Sequence, residues 1–139
     1  MKYRVLGDTY ALRLEPGEEV IASILSLCGR EQITLASVSG LGAASSAVVG
    51  IYDLAAKQFC PNRLEGPLEI ASLTGSVTAC AGEPYLHLHA VFGDREGRAW
   101  GGHLSEAIIS ATAEIFLRRL DGRIGRADDP ATGLKVWDL

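Results

Sequence analysis

From Ile33 to Leu120 the chain is a succession of short runs rich in Val, Ile, Thr and Ser, separated by Gly, Pro and Asp. The clearest runs are "ITLASVSGLG", "SAVVGIYD", "LEIASLTGSVTA", "YLHLHAVFG" and "RAWGGHL". Runs with such boundaries are typical of antiparallel strands. The next stretch, "SEAIISATAEIFLRRL", has the Ala and Glu content of a helix, but its apolar residues alternate, which favours a strand.

The first part of the chain predicts one strand and one helix. "YALRLEP" alternates between apolar and polar residues and stops at Pro16, which indicates a first strand. In "GEEVIASILSLCGRE" the apolar residues recur with the spacing of a helix that buries one face. The expected fold class is therefore α+β: residues 1–139 form one domain, mainly an antiparallel sheet with a packed amphipathic helix.

Length and charge exclude several classes of protein. A chain of 139 residues with 47% hydrophobic and 22% charged residues fits one globular domain. The net charge of −4 disfavours a broad electrostatic surface for nucleic acid or anionic lipid. No apolar run has the length of a membrane span, and three cysteines without CxxC spacing indicate free thiols. We therefore expect a soluble cytoplasmic protein without a membrane partner.

All three histidines of the chain lie in "EPYLHLHAVFGDREGRAWGGHL". Within it, "DREGR" has the pattern of a hairpin with a three-residue loop and Gly97 in the left-handed position. Asp94 and Arg98 then flank the loop. Counting outward along both strands from that pair places His89 directly opposite His103.

The same pairing brings a third imidazole to the group. His87 lies on the same strand face as His89, and cross-strand neighbours on one face have Cβ atoms about 4.5 to 5.5 Å apart. His87, His89 and His103 are therefore predicted to bind a divalent metal, most simply zinc. A water, an anion, Glu69 or Glu106 would complete the coordination. The alternative is three strand histidines that each satisfy their own hydrogen bonds.

Three other patterns in the sequence are less specific. Gly40 and Gly42 in "SGLGAAS" indicate a tight turn between strands or, alternatively, a backbone cradle for a small ligand. "LRRLDGRIGR" holds four arginines that could contact phosphate or DNA, although nearby aspartates favour a salt-bridged surface; they are Arg118, Arg119, Arg123 and Arg126. Ser39, Ser105 and Cys80 are available nucleophiles, but none lies in a nucleophile elbow.

The segments "VSGLGAASSAVVGIYD", "LEGPLEIASLTGSV", "GEPYLHLHAVFGDREGRAWGGHL" and "DPATGLK" resemble the plants-and-prokaryotes-conserved (PPC) domain in its stand-alone prokaryotic form. The resemblance extends from about Tyr10 to Leu139. It implies a sheet of about seven strands, a homotrimer, and metal binding by His87, His89 and His103, as in some prokaryotic members.

The family is commonly labelled DNA-binding, because plant members join this domain to AT-hooks, so the resemblance also implies DNA binding. This chain has no Arg-Gly-Arg-Pro core. In the plant proteins a Gly-Arg-Phe-Glu-Ile-Leu segment carries partner contacts. The corresponding "GPLEIA" retains Gly66, Glu69 and Ile70, whereas Pro67 and Leu68 replace Arg and Phe.

Three functional hypotheses follow, and the third is a purely structural assembly domain. The first is a trimeric DNA-binding, regulatory PPC-domain protein that also holds a metal. The second is a metal-dependent enzyme or small-molecule-binding protein that uses the histidine site without binding DNA. The sequence leaves the substrate or ligand and the identity of the metal open.

Overall fold

The computed structural model describes residues 1–139 and contains eight strands and one helix. In chain order the elements are β1 (Lys2–Leu6), β2 (Thr9–Leu14), α1 (Val20–Glu31), β3 (Ala36–Asp53), β4 (Gln58–Cys80), β5 (Glu83–Gly93), β6 (Ala99–Arg119), β7 (Gly125–Asp128) and β8 (Lys135–Asp138). The predicted class, a mainly antiparallel α+β domain, is confirmed. The strands form a six-stranded main sheet and a two-stranded sheet of β7 and β8.

The main sheet has the order β1-β2-β6-β3-β4-β5, and β6 also pairs with β5. The strands β6, β3, β4 and β5 therefore close into a ring. Bulges in β3, at Gly40–Gly42 and Ala44–Ser46, allow such long strands to bend. This closure brings the β5–β6 hairpin back beside the second half of β3, where Gly50 pairs with His103.

The helix α1 packs against β5 and β6. Its buried residues Val20, Ile24, Leu27 and Cys28 recur with helical spacing. Glu19 is the N-cap, and its carboxylate accepts from the backbone N–H groups of Ile21 and Ala22 at 3.0 and 2.6 Å. The helix joins a core of 26 buried residues between the helix and the sheet. The predicted helix is thus confirmed.

The structure corrects two details of the sequence analysis. "SGLGAAS" was predicted to be a tight turn, but Gly40 and Gly42 lie within the continuous strand β3, at a bulge. The strand β1 was not predicted, because all five of its residues are exposed and lack the alternation of a half-buried strand. The ambiguous segment after His103 is a strand, as predicted. No helix of the structure has the length and apolarity needed to span a membrane.

Candidate metal centre

The β5–β6 hairpin forms with the predicted register. The N–H of Asp94 donates to the carbonyl of Arg98 at 3.0 Å, and Gly97 has a φ of 77°. The Asp94 carboxylate also accepts from the N–H groups of Glu96 and Arg98 and from the indole N–H of Trp100. His89 pairs with His103, as the loop length requires.

The three imidazoles form one cluster on the outer face of the hairpin. Their possible ligand nitrogens all lie within 4.8 Å of one another. The ring centroids are 5.2 Å apart for His87 with His89 and with His103, and 5.8 Å apart for His89 with His103. The rings of Phe59 and His103 meet in a T-shaped arrangement, with 5.6 Å between their centroids. Nitrogens this close to one another need only small side-chain rotations to share one cation held by bonds of about 2.0 to 2.1 Å.

The surroundings favour the neutral form of two of these rings. Burial lowers the pKa of His87, and the neighbouring His103, His89 and Arg126 lower it further. Burial also lowers the pKa of His103, with a smaller contribution from His89. A metal binds the unprotonated ring nitrogen, so neutral imidazoles at physiological pH are the chemical form that ligation requires.

The cluster opens into a cavity of about 830 Å³. One side is formed by the ends of β3 and β4, and another by the C-terminal strand β8 with the residues before it. The lining side chains include Tyr52, Phe59, Tyr85, Arg126 and Trp137. An ion bound by the histidines would therefore keep a coordination position that faces the cavity.

The carboxylates proposed to complete the site lie elsewhere. Neither Glu69 nor Glu106 lines the cavity or belongs to the cluster. Glu69 pairs with Gly93 near the hairpin loop, whereas Glu106 lies 3.6 Å from the guanidinium of Arg63. Neither carboxylate is a ligand in this arrangement: Glu106 lies on the same strand as His103 but is paired with Arg63, and Glu69 lies on β4 outside the cavity lining.

The residues proposed for partner contacts are divided between surface and core. Gly66 is exposed, with open space where a Cβ would lie. Ile70, in contrast, is 3% exposed and belongs to the core. The segment around them presents Glu69 and not Ile70 to solvent.

The four arginines do not form one patch. Arg118 lies at the end of β6 and forms an ion pair with Asp8 at 3.3 Å. Arg119 and Arg123 are exposed near the same end of the sheet. Arg126 lies apart from them in the histidine cavity, where its guanidinium is 4.5 Å from the centroid of the Tyr85 ring.

Of the available nucleophiles, only Ser105 lines the cavity. Ser39 pairs with Thr74 and Phe116 in the middle of the sheet, and Cys80 ends β4 as a free thiol. Cys28 and Cys60 are also free thiols, as predicted. No triad of nucleophile, histidine and carboxylate is assembled, because the cavity wall contains no carboxylate.

Sequence reasoning missed the contribution of the C-terminal segment to this site. The β7–β8 hairpin brings Arg126 and Trp137 to the histidines, and the register pairs these two residues with each other. The only local signal was the turn at Pro130 to Gly133, which predicts a hairpin but not the surface on which it packs.

The fold and the cluster together define a class: a small antiparallel-sheet domain with three histidines at the base of an open cavity. Within that class, the chain belongs to the Plants and Prokaryotes Conserved (PCC) domain family, whose model matches residues 1–121. This is the PPC family that the sequence resembles. The β7–β8 hairpin lies outside the matched residues.

Among curated proteins the chain is similar to the "Bifunctional protein GlmU" of Synechococcus sp. (strain JA-3-3Ab), with 35% identity over 127 residues. The match covers 89% of this chain but 19% of that protein. The chain thus spans about a fifth of the length of this curated relative.

Two solved structures share nearly the whole fold. One, described as a "putative DNA-binding protein" from Bacteroides thetaiotaomicron, has a TM-score of 0.95 and 26% identity, covering 99% of this chain and 96% of that one. The other is a metal-containing protein from Archaeoglobus fulgidus, with a TM-score of 0.90 and 35% identity, covering 99% and 97%.

Proposed function

We propose that this PCC-domain protein binds a divalent metal, zinc being the simplest candidate, through His87, His89 and His103. The observation that carries the proposal is the convergence of three imidazole nitrogens within 4.8 Å. Three protein ligands with one open position are typical of zinc sites that bind a further group. When bound, such an ion acts as a Lewis acid and lowers the pKa of a coordinated water.

Two further observations support the proposal. The burial that lowers the pKa of His87 and His103 keeps both rings in the form that ligates metal. The similar structure from Archaeoglobus fulgidus is described as a metal-containing protein. The alternative, three histidines that each satisfy their own hydrogen bonds, has less support, since each ring places a nitrogen within 4.8 Å of the other two.

The direct test is the metal content of the purified protein after zinc loading and dialysis. We expect about one zinc per chain, and a decrease of tenfold or more in zinc affinity for His89→Ala. Val91→Ala, two residues along the same strand face, is the matched control and should retain the metal. Equal zinc content in the wild type and the His89→Ala variant would contradict the proposal.

The proposed assembly is a homotrimer in the cytoplasm. It follows from the family resemblance and agrees with exposed apolar side chains on the outer face of the sheet, where Leu41 and Phe116 are 55% and 52% exposed. Three free cysteines agree with a reducing compartment. A trimer would also multiply weak contacts with a partner.

DNA binding is the second candidate function, and the name of the Bacteroides thetaiotaomicron neighbour favours it. The net charge of −4 and the dispersed arginines oppose it. If Arg118, Arg119 and Arg123 contact phosphates, the affinity for duplex DNA should fall by more than about tenfold between 50 and 200 mM salt. Anisotropy of a labelled duplex measures this. An affinity that is independent of salt would remove the candidate.

A further inference from the structure

The cavity above the three histidines contains cationic side chains and no acidic one. Arg126 and Lys135 line it together with His87, His89 and His103. The chain has 17 Asp and Glu residues and a net charge of −4, yet none of these carboxylates lines the cavity. Lys135 is neutralised by Asp128 at 2.7 Å, outside the cavity lining. The remaining fixed charge of the cavity is that of Arg126.

Arg126 is held in place but lacks an anionic partner. Its Nε donates to the hydroxyl of Thr78 at 3.0 Å and its Nη1 to the carbonyl of Lys135 at 2.8 Å. Its guanidinium lies over the ring of Tyr85. Its Nη2, however, is buried without an acceptor, and no carboxylate lies within 4.0 Å of the guanidinium. A buried charged donor without an acceptor is destabilising, so such a group in a native fold calls for an explanation.

The rest of the cavity wall is largely apolar. Ile51 and Phe59 line one side, while Leu134, Val136 and Trp137 line the other. Ile51 is 66% exposed and Trp137 is 47% exposed, so both sides of the cavity present apolar surface to solvent. A ligand with a polar head and an apolar body would cover these side chains, and concave sites with few polar groups are typical of small-molecule binding.

We infer that this cavity binds a small organic acid, with its carboxylate between Arg126 and the three-histidine centre and its apolar part against the β7–β8 hairpin. The inference rests on the proposed metal site and names the class of its ligand. A guanidinium matches a carboxylate in charge and planar geometry, and a carboxylate oxygen is also a good zinc ligand. The ligand would thus place an anion beside the Arg126 side chain, which lines the cavity, and fill the open coordination position.

The test compares benzoate with benzamide, which has nearly the same shape but no charge. Each is titrated calorimetrically into the zinc-loaded full chain, whose metal content is measured on the same sample. We expect benzoate to bind at least tenfold more tightly than benzamide. Arg126→Gln should remove this preference, whereas Arg119→Gln, a matched change of an exposed arginine outside the cavity, should preserve it. Arg126→Lys, which keeps the charge and the stem of the side chain, should retain part of the preference if Arg126→Gln fails to fold.

The outcomes separate this inference from the metal proposal. Zinc bound with no preference for benzoate, or a preference that survives both Arg126 variants, would overturn the inference and leave the metal site intact. Failure to bind zinc would overturn the metal proposal. In that case, the same titration on the metal-free protein tests whether Arg126 binds the carboxylate. A preference for benzoate that Arg126→Gln abolishes supports the inference, and no preference for benzoate overturns the inference.

Discussion

At the scale of single residues, the histidine site depends on a glycine beneath it. A Cβ on Gly75 would lie 2.0 Å from the carbonyl oxygen of His87, far inside van der Waals contact. Gly75 pairs with Leu88, between His87 and His89 on the neighbouring strand. The absence of a side chain at this position therefore allows β4 and β5 to approach closely behind the cluster.

We expect Gly75→Ala to destabilise the protein by more than about 1 to 3 kcal/mol, because the strands must separate to admit the methyl group. The displacement of β5 should also weaken zinc binding. Gly29→Ala is the control: nothing lies within 4 Å of its Cβ in α1, and alanine should stabilise the helix by about 0.5 to 1 kcal/mol. Urea unfolding measures both. A Gly75→Ala variant as stable as the wild type would contradict the close approach.

At the scale of elements, Asp94 stabilises the β5–β6 hairpin, whose register the loop length sets. The hydrogen bond from the indole of Trp100 and those from Arg98 lower the pKa of this carboxyl to about 2. The side chain of Asp94 is 13% exposed, and its two oxygens accept four hydrogen bonds from within the hairpin. The ionised carboxylate thus ties the loop to the first residues of β6, and β6 carries His103.

This assignment predicts a dependence of stability on pH. A carboxyl with a lowered pKa in the folded state stabilises the fold above its ordinary value of 3.8, and this contribution is lost as pH falls toward about 2. The difference in unfolding free energy between the wild type and Asp94→Asn should therefore shrink between pH 5 and pH 2. Asp121→Asn, an exposed aspartate after β6, is the control. A difference that stays constant over this range would show that Asp94 does not act through its charge.

Local patterns predicted most of the elements. The helix α1 and the hairpin are encoded by neighbouring residues: apolar spacing for the first, and loop length with Gly97 for the second. The turn predicted at Gly40 and Gly42 was wrong because a glycine in a strand can mark a bulge as well as a turn. Whether a glycine marks a turn or a bulge depends on how closely the neighbouring strands approach it. At this position the carbonyl oxygen of Glu114 in β6 lies 2.8 Å from where a Cβ on Gly40 would lie.

At the scale of the whole molecule, the outer face of the sheet is partly apolar. Leu41 and Phe116 are diagonal neighbours across the β3–β6 ladder, and both are more than half exposed. A second and a third copy of the chain would cover this face and remove it from water. Burial of apolar surface is the main favourable term in most protein association.

We expect the protein to elute as a trimer of 14.8 kDa chains, and Phe116→Glu to dissociate it, because a charge on this face would be buried without a partner. Light scattering coupled to size-exclusion chromatography measures the mass. Leu54→Glu is the control, since Leu54 is similarly exposed, at 58%, but lies in the turn between β3 and β4. A wild-type chain that is monomeric would refute the proposed assembly. A trimer that persists in Phe116→Glu would place the interface elsewhere.

The sequence by itself determined the cluster of histidines. Strand alternation places His87 and His89 on one face, and the loop length places His103 opposite, since both depend only on local backbone geometry. The tertiary structure alone decided what surrounds the cluster. Packing of the β7–β8 hairpin against β4 brings Arg126 to Tyr85, while Glu69 and Glu106 stay outside the cavity lining. These contacts join segments distant in the chain, and no local pattern specifies which surfaces will meet.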